Sequence, residues 1–310
     1  MKTYRGADLI FVSHPKAGRT WIRFMLIKTY AMLDNDDKKT KLKISLSRKQ
    51  LPCIKFYHDG WRKGTIEAGT PKKKVVFQDI PTILLLRDPR DIIVSFYFHL
   101  KSETSISKFI RKGKTSFEKL LQYIQIWNEA IKTINFNYLK VIRYEDFKKD
   151  DFSEYKKLIN WIKSIWPGWP KLQKIDDNII RESVKYASFD NMRKMELDNV
   201  YKNWAALHTK DKSNIENLKV RKGKVGGYVD YLSKKDIDFC NSLMAKYNCE
   251  LIEQYTNKGI TGKEIKFSEI KEEFCPKCGS ETYRKISREG RKLIKCKSKK
   301  CKWRKFLNET

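Results

Sequence analysis

Short runs that are apolar at every position alternate along this chain with longer stretches whose apolar residues recur every three to four positions. Leu9-Ile10-Phe11-Val12, within 8–13, has the pattern of a strand buried on both faces, and residues 20–33 follow with helical spacing. Cys53-Ile54-Lys55-Phe56-Tyr57-His58 alternates as a strand does. Thr82-Ile83-Leu84-Leu85-Leu86-Arg87 is another buried run, and Tyr138 to Arg143 a third. Helical patterns cover 90–101, 116–134, 153–166, 175–187 and 234–247. The Gly- and Lys-rich residues 59–73 read as a loop, as does Tyr144-Glu145-Asp146 after the last apolar strand. Strands alternating with helices predict an α/β fold, a parallel β-sheet flanked by helices. Ligands of such sheets sit at the carboxyl ends of the strands. His14, His58, Arg87 and Tyr144 all fall at or just past predicted strand ends, so they converge on one edge.

Composition bounds the partners. The 310 residues suit one large domain, or one plus a small module, and 40% hydrophobic content is enough for a core. With 67 basic and 37 acidic residues the formal charge is +30. Such a field attracts phosphates, sulfated or uronic glycans, nucleic acid or anionic lipid. The basic residues are scattered, so an evenly solvated surface is the plainer reading. No secretory signal and no run of roughly 20 apolar residues is visible, which leads to the expectation of a cytoplasmic protein without a transmembrane segment. Composition shifts near residue 256. The expected organisation is a domain over 1–255, a linker over 256–270 and a small module over 271–310.

Ser13-His14-Pro15-Lys16-Ala17-Gly18-Arg19-Thr20-Trp21 joins the first strand to the first helix. A helix N-terminus offers unpaired N–H groups and a positive dipole end, and Lys16 adds a full charge. The loop is an anion cradle without the hydroxyl directly after lysine that a Walker A loop places on Mg²⁺. Arg87-Asp88-Pro89-Arg90-Asp91 ends a second strand, with Pro89 suited to a helical first turn and Ser95 about two turns on. Arg221-Lys222-Gly223 and Gly226-Gly227 make a third, glycine-rich basic segment.

Together these segments resemble the sulfotransferases that use 3′-phosphoadenosine 5′-phosphosulfate (PAPS), over roughly residues 8–250. Pro15 to Trp21 is similar to the family's 5′-phosphosulfate loop, P-K-[ST]-G-T-T-W, with Arg19 in place of a threonine. Arg87 to Ser95 is similar to its 3′-phosphate motif, and Arg221-Lys222-Gly223 to its R-K-G-x-x-G-D-W loop, although Gly227-Tyr228 stands where Asp-Trp is usual. Tyr144-Glu145-Asp146 and Ser188 to Met192 match further family segments. The resemblance implies a P-loop-NTPase-like fold and transfer of a sulfuryl group from PAPS to an acceptor hydroxyl or amine. It implies that Lys16, Ala17, Gly18, Arg19 and Thr20 hold the 5′ end of the donor. It gives Arg87, Ser95, Arg221, Lys222 and Gly223 to the 3′-phosphate, and Trp21 and Tyr144 to the adenine. It further implies that Lys16 stabilises the leaving oxygen, that Ser95 counts with the catalytic set and that His58 is the general base, with His14 as its rival and Asp59 as a candidate to orient the ring. A positioned base contributes about 10²–10⁴-fold.

Four of seven cysteines cluster near the C-terminus: Cys275-x-x-Cys278 closed by Gly279, and Cys296-x₄-Cys301. Two such pairs predict a closed, all-thiolate structural Zn²⁺ site, and the segment resembles a zinc ribbon. Residues 271–310 carry 14 basic and 5 acidic side chains, so nucleic acid is a candidate partner. The alternative activities are a P-loop kinase-type phosphotransferase and a nucleic-acid-binding protein on a catalytically inactive transferase scaffold. The acceptor, an anionic glycan or a small molecule, and the oligomeric state are not readable.

Overall fold

All five side chains of β1 (Leu9–Ser13) are buried, as a strand covered on both faces requires. The computed structural model describes residues 6–34, 45–48, 51–59, 61–62, 65–66, 71–134, 136–201, 207–209 and 212–256, and three strands between 282 and 306. Met1–Lys263 and Glu264–Thr310 form two separate units.

In the first unit, β1 is flanked by β3 (Leu51–His58) and β6 (Thr82–Leu86), and β6 by β7 (Leu139–Arg143), all parallel. The strand β2 (Ser45–Arg48) adds an antiparallel edge, giving the order β2-β3-β1-β6-β7. The register pairs Ser13 with His58 and with Leu85, and Leu86 with Arg143. The carboxyl ends of four parallel strands are therefore level, and His14, His58, Arg87 and Tyr144 follow at that edge.

The helix α1 (Arg19–Leu33) leaves β1 and buries Ile22, Phe24, Met25, Leu26 and Ile27. It is tied to the helices behind it by a buried hydroxyl cluster: Thr29 Oγ1 lies 2.7 Å from Tyr155 Oη and 2.7 Å from Ser183 Oγ. Those partners belong to α6 (Asp151–Ile165) and α8 (Asp177–Tyr186). After β6 comes α2 (Pro89–Leu100), capped by Asp88, whose carboxylate accepts the Arg90 N–H at 2.8 Å. The short α3 (Ile106–Arg111) leads into α4 (Phe117–Thr133), whose Trp127, Leu120 and Leu121 are fully buried.

Two expectations change here. Tyr144-Glu145-Asp146 is not a loop but the first turn of α5 (Tyr144–Lys149), which starts directly at the end of β7. The stretch 59–73, read as a loop, contains the two-residue strands β4 (Trp61–Arg62) and β5 (Thr65–Ile66) and runs into a 3₁₀ turn, Pro71–Phe77. Beyond α6 the chain continues through α7 (Pro170–Gln173), α8 and α9 (Phe189–Leu197). A 3₁₀ turn at Gly227–Asp230, α10 (Lys234–Lys246) and α11 (Glu250–Glu253) complete the described part of this unit. No helix among the described residues is long and apolar enough to cross a membrane.

In the second unit β8 (Thr282–Ile286), β9 (Lys292–Cys296) and β10 (Arg304–Phe306) form an antiparallel sheet in the order β10-β9-β8. Cys275, Cys278 and Cys301 lie outside the described residues; of Cys296 only the backbone, at the end of β9, is described.

Candidate functional site

The loop from β1 to α1 is built by backbone geometry rather than by side-chain caps. Lys16 has φ +70° and Gly18 φ +101°, both left-handed, and Gly18 caps α1 with no side-chain hydrogen bond. A Cβ on Gly18 would stand 2.5 Å from Cδ2 of Tyr144, so only glycine admits that ring. Tyr144 in turn packs edge-on against Trp21, with ring centres 5.5 Å apart, and carries the Arg87 guanidinium 4.2 Å above its face.

Arg87 joins three segments. Its Nη1 donates to the Lys16 carbonyl at 3.2 Å and its Nη2 to the Lys224 carbonyl at 3.3 Å. Asp91, one turn along α2, lies 3.7 Å from Nη2. Its carboxylate also accepts the N–H groups of Gly226 and Tyr228, both at 2.9 Å. The glycine-rich segment is thus pinned to α2. A second buried carboxylate holds the preceding residues: Glu196 of α9 accepts from the N–H groups of Lys219 at 2.8 Å and Val220 at 2.9 Å and from the Thr209 hydroxyl at 2.5 Å. Gly223, at φ +61°, lies where a Cβ would meet the Phe189 ring at 2.7 Å.

These segments enclose one cavity of about 470 Å³. Lys16, Gly18, Arg19, Thr20, Trp21, His58, Arg87, Ser95, Tyr144, Arg221, Lys222 and Gly223 all line it. Of the residues expected around the donor, Ala17 alone does not; its side chain is buried beneath the loop. His14 is not on the wall either. It is buried between Phe96 and Tyr123, and burial pulls it down to about 4. Arg221 is stacked on Phe98 at 4.6 Å and paired with Glu216 at 2.8 Å, while the Lys222 ammonium lies 4.4 Å from the Tyr231 ring centre.

The cavity concentrates buried cations. Burial pulls Lys16 down to about 7, and Lys219, Arg87 and Arg221 push the same way against Glu196. Arg19 Nη1 and Arg87 Nε are buried with no hydrogen-bond partner among the described residues. An unsatisfied buried donor is costly, and a phosphate or sulfate oxygen would satisfy it.

His58 ends β3 at the cavity wall. Its Nε2 lies 2.8 Å from Arg19 Nη2 and its Nδ1 3.4 Å from the Ser13 carbonyl. Guanidinium only donates, so Nε2 accepts and the ring proton sits on Nδ1. Asp59 does not orient this ring: its carboxylate is engaged by the Lys74 ammonium and by Trp127 Nε1 at 2.8 Å. Asp91 of the 3′-phosphate motif and His99 also line the wall, and so does Lys219, which nothing in the sequence marks. Glu196 was missed as well. It follows Met192 and Met195 on the buried stripe of α9, and an acid at an apolar position is a readable signal.

A pocket at the strand ends lined by Lys16, Arg19, Arg87, Arg221 and Lys222 suits an anionic ligand. A model of the sulfotransferase domain matches residues 7–258, and the chain belongs to that family. It is an enzyme that transfers a sulfuryl group from PAPS to an acceptor. Flavonol 3-sulfotransferase of Flaveria bidentis is 25% identical over 274 residues, spanning 76% of this chain and 80% of that protein. Bovine sulfotransferase 1E1 is 22% identical, spanning 74% and 79%. Among solved structures, mouse sulfotransferase SULT7A1 complexed with PAP superposes with a TM-score of 0.53 at 19% identity, covering 81% of this chain and 90% of that one. Retinol dehydratase in complex with androsterone and inactive cofactor PAP gives 0.51 at 13%, covering 77% and 80%.

Proposed function

We propose that the cavity at the carboxyl edge of the sheet is the PAPS site and that His58 is the general base of the transfer. One observation carries this: three segments far apart in sequence, at Lys16–Trp21, Arg87–Ser95 and Arg221–Gly223, line a single cavity with cations and glycine backbone. A donor with a 5′-phosphosulfate and a 3′-phosphate needs two anion sites in one pocket.

Lys16, Gly18, Arg19 and Thr20 hold the 5′ end, with the uncapped N-terminus of α1 beneath it. Arg87, Ser95, Arg221 and Lys222 hold the 3′-phosphate. Trp21 and Tyr144 give the adenine an aromatic wall. The donor supplies the sulfuryl group, whose bond to the 5′-phosphate oxygen breaks as a bond forms between sulfur and the acceptor oxygen or nitrogen. His58 Nε2 takes the acceptor's proton, because Nδ1 is already protonated and turned to Ser13. Lys16 donates to the leaving oxygen, where charge develops. His58 fits the base better than His14, since it lines the cavity and His14 does not.

The module at the C-terminus is proposed to be a zinc ribbon held by Cys275, Cys278, Cys296 and Cys301. The antiparallel strands β8, β9 and β10 suit such a module, and a chain this short has too little core without a metal. Its basic charge makes nucleic acid a candidate partner. The acceptor carries a hydroxyl or amine, and the protein is proposed to work in the cytoplasm.

Transfer of label from ³⁵S-labelled PAPS to a panel of phenols, steroids, amines and glycans, without added Mg²⁺, tests the activity. Labelled product that disappears in Lys16→Ala supports the reading. Phosphate transfer from ATP that requires Mg²⁺, with no sulfuryl transfer, would favour the kinase. Steep salt-dependent DNA or RNA binding with no PAPS-dependent thermal shift would favour the inactive scaffold.

A further inference from the structure

Arg19 occupies the place that threonine holds in the family's loop motif, and the structure gives it a partner the sequence could not. Its guanidinium is shared unequally: Nη2 donates to His58 Nε2 at 2.8 Å, while Nη1 is buried without a partner among the described residues. Arg19 and His58 both line the cavity beside Lys16 and Thr20. The nitrogen that must take the acceptor's proton is therefore capped by a donor, and the other ring nitrogen already carries its proton toward Ser13. With Nε2 capped, the ring has no free lone pair. Yet the cap is one hydrogen bond from a cation to a neutral ring, and the same guanidinium faces a site lined with cations. Hydrogen bonds from arginine to phosphate or sulfate are charge-assisted and stronger than one to neutral imidazole.

We propose that Arg19 couples donor binding to release of the base: its guanidinium caps His58 Nε2 until the donor binds and then turns to the donor's anionic phosphosulfate. This rests on the cavity being the PAPS site. Arg19 acts on the chemistry through His58 and so is a positioning residue. The consequence is order: an acceptor that arrives before the donor meets a histidine that cannot take its proton.

The groups facing His58 are Arg19 of α1, His14 and Lys16 of the loop and the Ser13 carbonyl of β1. Arg19 itself is faced by Arg23 and by Tyr123 of α4. Burial first, then Arg19, hold the imidazole well below its ordinary value. Burial and Arg23 lower Arg19 to about 9, which leaves it protonated at neutral pH.

The test is NMR of the full chain with ¹³C,¹⁵N-labelled histidine, with and without the product nucleotide PAP. His58 is identified by its absence from His58→Gln. In the wild type without PAP, Nε2 shows the shift of a hydrogen-bonded acceptor and the ring stays neutral to well below the ordinary histidine range. PAP moves Nε2 toward the value of a free acceptor. In Arg19→Thr, Nε2 is free from the start, its titration lies at higher pH, and PAP changes it little. Arg19→Lys, which keeps the charge without the fork, gives a smaller PAP-dependent shift and serves if the threonine variant does not fold. PAP that binds by calorimetry but leaves Nε2 unchanged would overturn the coupling and leave the site standing. An equally large PAP-dependent shift in Arg19→Thr would overturn it too. PAP that does not bind overturns the coupling and the site together.

Discussion

Arg19 Nη2 lies 2.8 Å from His58 Nε2, across 39 positions of sequence. The contact joins the first residue of α1 to the last residue of β3, and it is possible because the parallel register brings Ser13 level with His58. A loop residue that departs from its family's pattern is thereby connected to the proposed base.

His58→Ala removes the proton acceptor and frees Arg19 entirely for the donor. Turnover is expected to fall by at least about a hundredfold, while PAP affinity is kept or rises. Steady-state rates with calorimetry on the same preparation check both. Substantial residual turnover would reject His58 as the base.

Lys16 gives the site a pH dependence with a definite sign. Burial and neighbouring cations bring it down to about 7. A bound oxyanion favours its protonated form, so binding takes up a proton. PAP affinity is therefore greatest below pH 7 and falls as pH rises above it, by up to about tenfold per unit. Lys16→Ala flattens that slope, weakens binding and costs about 10²–10³ in rate. An unchanged slope in the variant would remove Lys16 from the site.

Gly18→Ala places a methyl group against the Tyr144 ring at a φ of +101°. The strain costs about 1–3 kcal/mol, and the displaced ring also releases Trp21 and Arg87. A lower melting temperature together with weaker PAP binding is expected; thermal denaturation with and without PAP reads both. A variant with unchanged stability would mean that the loop adopts another backbone.

Much of the fold could be read from pattern alone. β1, β3, β6 and β7 are apolar or alternating runs, and the long helices carry clear periodicity. β2 escaped because a four-residue polar edge strand has little pattern to show. α5 escaped because it begins at the very end of β7, with no turn residues between strand and helix. Lys16, Arg87 and Arg221 say little one at a time and stand out only together, as three basic segments that resemble one family's motifs in order. Asp91 stands inside a quoted motif and Glu196 on an apolar stripe, but neither shows in sequence that it holds backbone N–H groups 135 and 23 positions away.

Asp91→Asn turns one acceptor oxygen into a donor facing an N–H group. Losing a hydrogen bond to a buried charge costs about 1.5–3 kcal/mol. If it appears as disorder of the 223–231 segment, PAP affinity drops roughly ten- to a hundredfold. The core is untouched, so the melting temperature of the free protein moves little. Differential scanning calorimetry and PAP titration separate the two effects.

Metal analysis of the full chain is expected to find about one zinc per molecule, lost in Cys275→Ser/Cys278→Ser. Chelation should then expose the C-terminal unit to protease while PAP binding persists. A chain free of zinc after purification without chelator would reject the ribbon.

The central claim is that one cavity holds both phosphate ends of the donor. A crystal structure of the full chain soaked with PAP tests it most directly. The 5′-phosphate is expected on the Lys16–Thr20 loop, the 3′-phosphate between Arg87, Ser95 and Arg221, and the adenine beside Trp21 and Tyr144. PAP bound elsewhere, or a cavity still empty at saturating nucleotide, would contradict it.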